Sequence, residues 1–354
     1  MPILRANDRV AWLALLIAAA AIGSAAAADG SADTSSRAGA TPIRNRGAQN
    51  RPTEPQQWLT RMNEALTRLN YDGVFSHVQN GEIETLRIIH RFERGHVMER
   101  LVSLDGSGRE FIRSGSELAC YLPDEHRVLI GQQPQQSLLL GNLPRFDAAT
   151  RRFYDVRLGR QARLIGRPAR LVVVTPTDQY RYGYRLWLDD ATSMPLKTQL
   201  CDGQGHVIEQ VVFASLATPR AIPDSAFKPD LSTAGFVTMR QADLSAAASN
   251  AAIDLWNALR LPPGFHMSVR TEQVIPGAAG PVEHIVYTDG IATVSVFVES
   301  HMHPEHALSG GTQVGSSSTY STIIDGHPVT AVGEVPPATV RFIASSVQAR
   351  SPGR

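Results

Sequence analysis

The sequence predicts an α+β protein: an unclosed antiparallel β-barrel wrapped round one helix, followed by a smaller α+β domain. Three observations predict this fold. Short runs rich in Val, Ile, Phe and Leu alternate with turn signals about every ten residues. One amphipathic helix precedes these runs, and the β pattern breaks off once before it resumes. The 354 residues are enough for two such domains.

The composition narrows the class of protein. With 43% hydrophobic and 19% charged residues, the chain has the make-up of a globular protein. Its formal net charge is +1, which gives no electrostatic footprint for nucleic acid. We therefore expect no nucleic-acid partner.

The N-terminal residues predict export. Arg5 and Arg9 precede a short apolar run, and the small residues "GSAAAADG" place a cleavage near Ala28. The run is shorter than the ~20 apolar residues of a membrane span, so a retained anchor is the less favoured alternative. We predict a signal peptide over residues 1–28 and a disordered, polar leader over residues 29–54.

The stretch "PQQWLTRMNEALTRLN" predicts an amphipathic helix. Thr53 and Pro55 provide a start signal, and Asn70 provides a stop. The apolar face comprises Trp58, Leu59, Met62, Ala65, Leu66 and Leu69. A face of this width predicts that the helix lies against a sheet.

The sheet is predicted from a meander of short strands, which completes a first domain over residues 55–220. Turn signals stand at Asn80-Gly81, Arg94-Gly95, Asp105-Gly106, Ser114-Gly115 and Asp202-Gly203. Local hairpins of this kind predict an antiparallel sheet without βαβ crossovers. About nine or ten strands with one long helix favour a strongly curved sheet around that helix.

The most regular stretch of this domain is "YRYGYRLWLDDATSMPLKTQL", residues 180–200. A period of two assigns one face to Tyr180, Tyr182, Tyr184, Leu186 and Leu188, and the other to Arg181, Gly183, Arg185 and Trp187. The aromatic face has two interpretations: the lining of a cavity for an apolar ligand or extended peptide, or a surface packed against the helix. Three tyrosine hydroxyls that need partners favour a partly wet surface.

A second domain is predicted after a connection over residues 221–252, which is rich in Pro, Ala and Ser. Residues 253–348 contain two hairpins, with turns at Asp289-Gly290 and Asp325-Gly326. The stretch "PPATVRFIASSV" predicts a closing helix with proline in its first turn. This pattern indicates a small α+β domain, followed by a tail over residues 349–354.

The sequence contains no assembled catalytic motif. The cluster "HMHPEH" (His301, His303, Glu305 and His306) lacks the spacing of a zinc loop. Ser107 lies in a "DGSG" turn rather than in a nucleophile elbow. Seven arginines between residues 151 and 170 could contact phosphates or an acidic peptide, or form a solvent-exposed face. We therefore predict a binding protein, with no enzymatic activity, metal or cofactor.

Two cysteines, Cys120 and Cys201, are compatible with an oxidising compartment. A disulfide requires their Cα atoms to lie within about 7 Å, which sequence spacing does not determine. The alternative is two buried thiols that pack as small hydrophobic groups. Both interpretations stay open.

Five stretches, in order from residue 55 to residue 348, resemble the MucB/RseB family of sigma-E regulators: "WLTRMNEALTRLNYDGVF", "TPTDQYRYGYRLWLDDATSMPLKTQLCDGQGHVIEQVVF", "LPPGF", "VYTDGIATVSVFVE" and "AVGEVPPATV". The resemblance implies a first domain similar to the lipoprotein carriers LolA and LolB. It also implies a periplasmic protein that binds the periplasmic segment of a transmembrane anti-sigma factor. Such binding would protect that segment from site-one proteolysis until lipopolysaccharide or lipoprotein acyl chains release it. The implied role is negative regulation of the envelope stress sigma factor.

Under this resemblance, Tyr180, Tyr182, Tyr184 and Leu186 become the candidate wall of an apolar cavity. Phe265 and Phe297 become a candidate surface for docking the anti-sigma peptide. The alternative function is a periplasmic carrier of lipoproteins or lipids, which would not need a second domain. Formation of a homodimer is left open.

Overall fold

The computed structural model describes residues 54–106, 108–132, 138, 150–240, 255–273, 280–300 and 309–350. The predicted signal peptide, nearly all of the leader, Ser107 and the histidine cluster at residues 301–306 lie outside the described residues. Nothing in the structure therefore bears on those predictions. Among the described residues, no helix is both long and apolar enough to cross a membrane.

The first domain is built on a sheet of twelve strands. The strands are β1 (Tyr71–Gln79), β2 (Glu82–Glu93), β3 (His96–Ser103), β4 (Glu110–Ser114), β5 (Glu117–Leu122), β6 (Arg127–Gln132), β7 (Tyr154–Leu164), β8 (Arg167–Pro176), β9 (Gly183–Asp189), β10 (Pro195–Cys201), β11 (Val207–Ala217) and β12 (Val237–Arg240). Their order is β12-β6-β5-β4-β3-β2-β1-β11-β10-β9-β8-β7. The two outer strands of this order, β12 and β7, are not paired with each other, so the predicted unclosed barrel is confirmed.

The turns between these strands follow the sequence signals. Asn80 and Gly81 both have positive φ, 54° and 81°, as do Arg94 and Gly95, at 52° and 81°. Two consecutive positive φ values form the tight hairpin turn whose twist matches that of the flanking strands. All neighbouring pairs in the sheet are antiparallel except β12, which runs parallel to β6.

The predicted amphipathic helix is α1 (Pro55–Arg68), with proline in its first turn. Five of the six residues predicted for its apolar face are buried, namely Trp58, Leu59, Met62, Ala65 and Leu66, and Leu69 is partly buried. They pack against side chains from β1, β2, β8 and β9, including Tyr71, Ile88, Val172, Leu186 and Leu188. Each fully buried Leu or Met contributes about 1.5–3 kcal/mol. The helix therefore lies on the inner face of the sheet, as predicted.

The end of α1 is fixed to β2 by polar contacts. His90 Nδ1 donates to the Leu69 carbonyl oxygen at 2.7 Å, and the His90 ring stacks on Tyr71 at 4.6 Å. Burial lowers the pKa of His90 to about 4, so the imidazole is neutral and can donate from one nitrogen only. Asn70 accepts from the Phe92 backbone N–H at 3.0 Å. The residue predicted to stop the helix thus also connects it to the sheet.

The described part of the segment predicted as an interdomain connection, residues 221–240, packs on the first domain instead of standing between the two domains. Ile222 and Phe227 are buried against Ile89 of β2, and the Arg91 guanidinium lies over the Phe227 ring at 5.0 Å. Residues 237–240 then form β12 in the large sheet. Isolated apolar residues in a proline-rich stretch have no period, so the sequence pattern missed this packing.

The second domain carries a six-stranded antiparallel sheet of order β14-β15-β16-β19-β18-β17 and a two-stranded sheet of β13 and β20. Its elements are β13 (Trp256–Ala258), β14 (His266–Gln273), β15 (Val282–Thr288), β16 (Thr293–Glu299), β17 (Gly310–Val314), β18 (Ser317–Ile324), β19 (His327–Gly333), α2 (Pro337–Ala344) and β20 (Val347–Ala349). Val340, Ile343 and Ala344 of α2 are buried against the sheet. The predicted small α+β domain with a closing helix is confirmed.

Candidate functional site

The aromatic stretch predicted as one ribbon divides into two parts in the structure. Strand β9 begins at Gly183, so Tyr184 and Leu186 lie in the strand, whereas Tyr180 and Tyr182 precede it. The alternation predicted from residue 180 is wrong for its first three residues. Asp178 Oδ1 accepts from the Tyr180 backbone N–H at 2.9 Å and holds a turn there. Turns of this kind compete locally with strand pairing.

The strand part of the stretch faces α1. Leu186 is fully buried in the core around α1, and Tyr184 is partly buried against the same core. Burial raises the pKa of the Tyr184 hydroxyl above its usual value, so this phenol stays protonated at neutral pH. Of the two interpretations of the aromatic face, these two residues therefore follow the one in which the face packs against the helix.

The turn part of the stretch contacts the second domain. The Tyr180 ring meets Phe342 of α2 edge-on at 5.3 Å, and Thr339 Oγ1 donates to the Tyr180 carbonyl oxygen at 2.8 Å. Tyr182 is buried, and its hydroxyl accepts from Gln313 Nε2 at 3.2 Å. Both tyrosines therefore lie at the junction of the two domains.

Arg181, between these tyrosines, is the centre of the junction. Its side chain is completely buried, and Nε donates to Asp289 Oδ2 of the second domain at 2.6 Å. Nη1 donates to Asp178, and Nη2 donates to the Pro263 carbonyl oxygen. We call Arg181, Asp178, Asp289 and Pro263 the Arg181 cluster. Every polar contact of the guanidinium except that to Asp178 crosses between domains.

Two phenylalanine rings flank the Arg181 guanidinium. Its central carbon lies 4.3 Å from the centroid of Phe153 and 5.3 Å from the centroid of Phe265. Gly264 has a φ of +85°, and a Cβ there would overlap the Phe153 ring. Glycine is therefore required both for the backbone conformation and for the close approach. Phe265, predicted as a docking residue, instead packs within the junction.

Asp289 is held for its contact by its own turn. Its second oxygen, Oδ1, accepts from the backbone N–H groups of Ile291 at 2.9 Å and Ala292 at 2.7 Å. Ile291 in turn packs against the core around α1. The turn predicted only as a hairpin connection thus inserts into the first domain. Removing one partner of a buried ion pair typically costs about 3–5 kcal/mol, so this cluster fixes how the domains are arranged.

A second contact between domains involves the β17–β18 hairpin. Gln79 Nε2 of β1 donates to Ser316 Oγ at 3.1 Å, and Gly315 packs so closely on the Gln79 side chain that a Cβ would overlap it. Beside it, His77 Nε2 and Glu209 Oε1 lie 2.8 Å apart. Burial and the nearby Glu209 raise the pKa of Glu334, at the end of β19, to about 7. The charges at this contact are therefore sensitive to pH.

A groove of about 560 Å³ opens beside this contact. We call it the amide groove, because side-chain amides from both domains line it. Its lining residues are Val78, Gln79, Asn80, Gly81, Gln199, Val207, Ile208, Gln210, Gln313 and Gly315. Gln199 donates to Gln210 across β10 and β11 at 2.7 Å. Amides both donate and accept hydrogen bonds, so the groove suits a polar, uncharged ligand such as a polypeptide backbone.

Phe297 lies away from this junction. On β16, Val294, Val296 and Val298 pack in the same core as Phe265, so the alternation of side chains places Phe297 on the opposite face. There it stacks on His284 at 4.5 Å, and burial lowers the pKa of His284 to about 4. The structure does not bring Phe265 and Phe297 together on one surface.

The remaining candidate residues form no site of their own. Cys120 and Cys201 are free thiols on strands with five other strands between them, and the disulfide considered above is not formed. Burial raises the pKa of Cys120 to about 12. Arg157, Arg160 and Arg163 are exposed along the edge strand β7, as a solvent face requires. Across the described part of the chain, no group of three metal-ligating side chains converges.

The sequence reading missed Arg181 and Asp289. The period of two places Arg181 on the face of a ribbon opposite the tyrosines, and the sequence predicts Asp289 only as a turn residue. The available signal was weak: an arginine between two tyrosines, three residues after an aspartate. Its partner lies 108 residues further along the chain, and no local pattern encodes such a pairing.

The fold and its junction define a class of protein: a curved, open sheet around one helix, joined to a small α+β domain through buried charges. Two family models match the chain, the MucB/RseB N-terminal domain over residues 54–231 and the MucB/RseB C-terminal domain over residues 250–348. The chain belongs to the MucB/RseB family.

Similar proteins match across both domains. The sigma factor AlgU regulatory protein MucB of Pseudomonas aeruginosa is 32% identical over 83% of this chain and 91% of its own length. The sigma-E factor regulatory protein RseB of Escherichia coli K12 is 27% identical over 82% of this chain and 89% of its length. Two solved structures, the Pseudomonas aeruginosa MucA/MucB complex and MucB in complex with MucA(peri), are each 30% identical and match with TM-scores of 0.67 and 0.66. Each covers 84% of this chain, and the match includes 99% and 100% of the respective solved chains.

Proposed function

We propose that this chain is a periplasmic negative regulator of the envelope stress sigma factor. It binds the periplasmic segment of a transmembrane anti-sigma factor and protects that segment from site-one proteolysis. The observation that carries this proposal is the match of both domains, in one chain, to MucB in its complexes with MucA. A partner that contacts both domains requires them in a fixed arrangement, which the Arg181 cluster supports.

The proposed action is binding without catalysis. Most of the ionisable groups at the junction are engaged in pairs: Arg181 with Asp289, and His77 with Glu209. The raised pKa of Cys120 keeps its thiol protonated, whereas a nucleophilic cysteine requires a thiolate. Protection then follows from covering the cleavage site, since a bound segment is not accessible to a protease.

The same proposal includes release by lipopolysaccharide or lipoprotein acyl chains. The core between α1 and the sheet is the apolar volume of the first domain, and Leu186 and Tyr184 belong to it. An acyl chain that enters this core has to displace side chains of α1. Displacement of α1 would also disturb Phe153, which packs in the same core and flanks Arg181. Lipid entry is thereby coupled to the domain junction.

The alternative function is a periplasmic carrier of lipoproteins or lipids that uses the first domain. The open sheet around an apolar helix favours it, because such a sheet can enclose an acyl chain. A carrier predicts uptake of acyl chains and no specific affinity for the anti-sigma segment. It also gives no reason for the buried contacts between Arg181 and the second domain.

The first experiment is a calorimetric titration of the mature protein with the periplasmic segment of the anti-sigma factor encoded in the same genome. We expect tight binding that lipopolysaccharide weakens, together with slower cleavage of the segment by the site-one protease. An unrelated periplasmic peptide of equal length and charge is the control. Uptake of acyl chains without any binding of the segment would reject the regulator and favour the carrier.

A further inference from the structure

Strand β17 (Gly310–Val314) is an open edge of the second domain's sheet. Within the described residues it pairs only with β18, and all five of its residues are exposed. Its sequence, GGTQV, contains no charge and no proline. An exposed edge strand presents unpaired backbone N–H and C=O groups, which are a template for one more strand.

The other outer strands are protected in the usual ways. Strand β7 carries three exposed arginines, Arg157, Arg160 and Arg163. Strand β14 carries the partly exposed Glu272, and β12, β13 and β20 are only three or four residues long. Charges and short length are the features by which proteins prevent unwanted pairing at an edge. Among the described edges, β17 is therefore the one that is exposed, uncharged and longer than four residues.

The geometry of the hairpin determines which groups face outward. Val314 pairs with Ser317 across a two-residue turn, and Gly311 pairs with Tyr320. A two-residue hairpin closes on a hydrogen-bonded pair, and bonded and non-bonded pairs alternate along an antiparallel ladder. The N–H and C=O groups of Gly311 and Gln313 are consequently the ones directed away from β18. An incoming strand would bond to these two residues.

The open edge leads into the amide groove. Gln313 is shared by both, and its Nε2 donates to the Tyr182 hydroxyl at 3.2 Å and to the Gly315 carbonyl oxygen at 3.0 Å. Gly310 and Gly311 have no side chains, so bulky side chains of an opposing strand meet no obstruction there. The edge of β17 provides backbone N–H and C=O groups that can hydrogen-bond to an added strand. The amide groove provides side-chain amides that can hydrogen-bond to polar groups at the end of that strand.

We propose that β17 receives an extended stretch of the anti-sigma factor's periplasmic segment as an added strand, whose end lies in the amide groove. This inference rests on the function proposed above and adds where and how the partner binds. The stretch in contact with β17 lacks proline at the positions that donate to β17, because proline has no N–H to donate. Main-chain pairing gives affinity, and the groove selects the residues at the end of the strand.

The test compares Gly311→Pro with Gly311→Ala. Proline removes the outward N–H of Gly311, whereas alanine adds a Cβ of ordinary contact, 3.4 Å from Tyr320, and keeps the N–H. We expect Gly311→Pro to weaken binding of the anti-sigma segment about tenfold or more, and Gly311→Ala to change it less than about twofold. Calorimetry with the full mature chain measures both affinities.

Hydrogen exchange on the unaltered protein gives an independent readout if the proline variant does not fold. Bound segment should slow exchange across residues 310–314 and leave β14, the opposite edge, unchanged. If the segment binds but exchange at β17 is unaltered and Gly311→Pro binds normally, the docking inference is wrong and the regulator function stands. If the segment does not bind at all, both fail. Concentration-dependent protection of β17 without the segment would assign the edge to a second copy of this chain and overturn the inference.

Discussion

At the scale of single residues, the junction depends on charges removed from water. Arg181 is buried among two carboxylates, a carbonyl oxygen and two aromatic rings, which together replace its hydration. A buried guanidinium is tolerated only when its donors are satisfied, since an unpaired buried charge costs several kcal/mol. When one partner is lost, the remaining partners no longer balance the charge of Arg181. We therefore expect substitutions in the Arg181 cluster to lower the free energy of unfolding strongly.

Asp289→Asn tests the Arg181 cluster. The amide keeps the oxygen that accepts from Ile291 and Ala292, but it removes the charge that faces Arg181. We expect the free energy of unfolding to fall by about 1.5–3 kcal/mol, the usual contribution of a hydrogen bond to a charged group. The measurement is a urea titration.

The matched control is Asp325→Asn, in the second Asp-Gly turn of the same domain. Asp325 is exposed and has a φ of 50°, a conformation that asparagine also adopts readily. We expect a change of less than about 0.5 kcal/mol, as for most surface substitutions. Equal effects of the two substitutions would show that the buried ion pair is not a stabilising feature.

The pH dependence of stability follows from Glu334, His77 and Glu209. Burial and Glu209 raise the pKa of Glu334 to about 7, so in the folded state its carboxyl binds a proton more tightly than in the unfolded chain. Burial by itself lowers the pKa of His77, but the hydrogen bond and the charge contacts with Glu209 and nearby carboxylates together outweigh it, so the pKa of His77 is also raised. Both groups bind protons more tightly when folded. The contribution of Glu334 to stability is fully present below pH 4.5 and is lost as pH rises through 7, and that of His77 is fully present below pH 6.5 and is lost above it.

Glu334→Gln should remove part of this dependence. We expect the variant and the unaltered protein to be about equal in stability near pH 4, where the carboxyl is protonated in the folded and the unfolded chain, and the variant to be more stable by about 3 kcal/mol at pH 8. Burial also raises the pKa of Glu283 to about 7, so Glu283 contributes to the pH dependence of both proteins. The contribution of Glu334 is therefore the difference between the profiles of the variant and the unaltered protein. Glu82→Gln, at an exposed position on β2, is the control. Parallel pH profiles for parent and Glu334→Gln would contradict the assignment.

At the scale of elements, the sequence pattern predicts those features that depend on interactions between residues close together in the chain. The face of α1 followed from residues three and four apart, and the hairpins followed from residue pairs that adopt positive φ. Strand β12 and the turn before β9 were not predictable in this way. Val237–Arg240 is too short to show a period, and Asp178 redirects a chain whose pattern looks continuous. The Arg181 cluster depends on contacts between distant residues, which no local pattern contains.

The turn at Gly264 is the element on which the packing of Phe153 depends. Gly264 and Gly326 have nearly equal φ, +85° and +82°, but a Cβ at Gly326 would enter open space. Alanine at either position lowers the free energy of unfolding by about 1–2 kcal/mol, because the left-handed backbone conformation is unfavourable for a residue with a Cβ. We expect Gly264→Ala to lower the free energy of unfolding by roughly 1–3 kcal/mol more than Gly326→Ala does, because its Cβ overpacks against Phe153. Equal denaturation midpoints for the two variants would show that Phe153 moves away without cost.

At the scale of the whole molecule, the contacts that join the two domains among the described residues include the Arg181 cluster, the contacts of Tyr180 with Phe342 and of Tyr182 with Gln313, and the contact of Gln79 with Ser316. The first is buried and charged, and the last borders the amide groove and the β17 edge. Any partner that uses the groove therefore binds a shape that exists only while the domains are docked. Binding and docking are then linked equilibria.

This linkage predicts that weakening the Arg181 cluster lowers affinity for the anti-sigma segment without altering a single residue of the groove. If Asp289→Asn leaves only a fraction of molecules docked, the apparent dissociation constant rises by the inverse of that fraction. We expect a loss of about threefold to tenfold at 25 °C for Asp289→Asn and none for Asp325→Asn, measured by calorimetry below the unfolding transition. Saturating segment should in turn restore the unfolding midpoint of Asp289→Asn toward that of the parent, because a ligand that binds only the docked form stabilises it. A variant that is destabilised but binds with unchanged affinity would show that the partner contacts one domain alone.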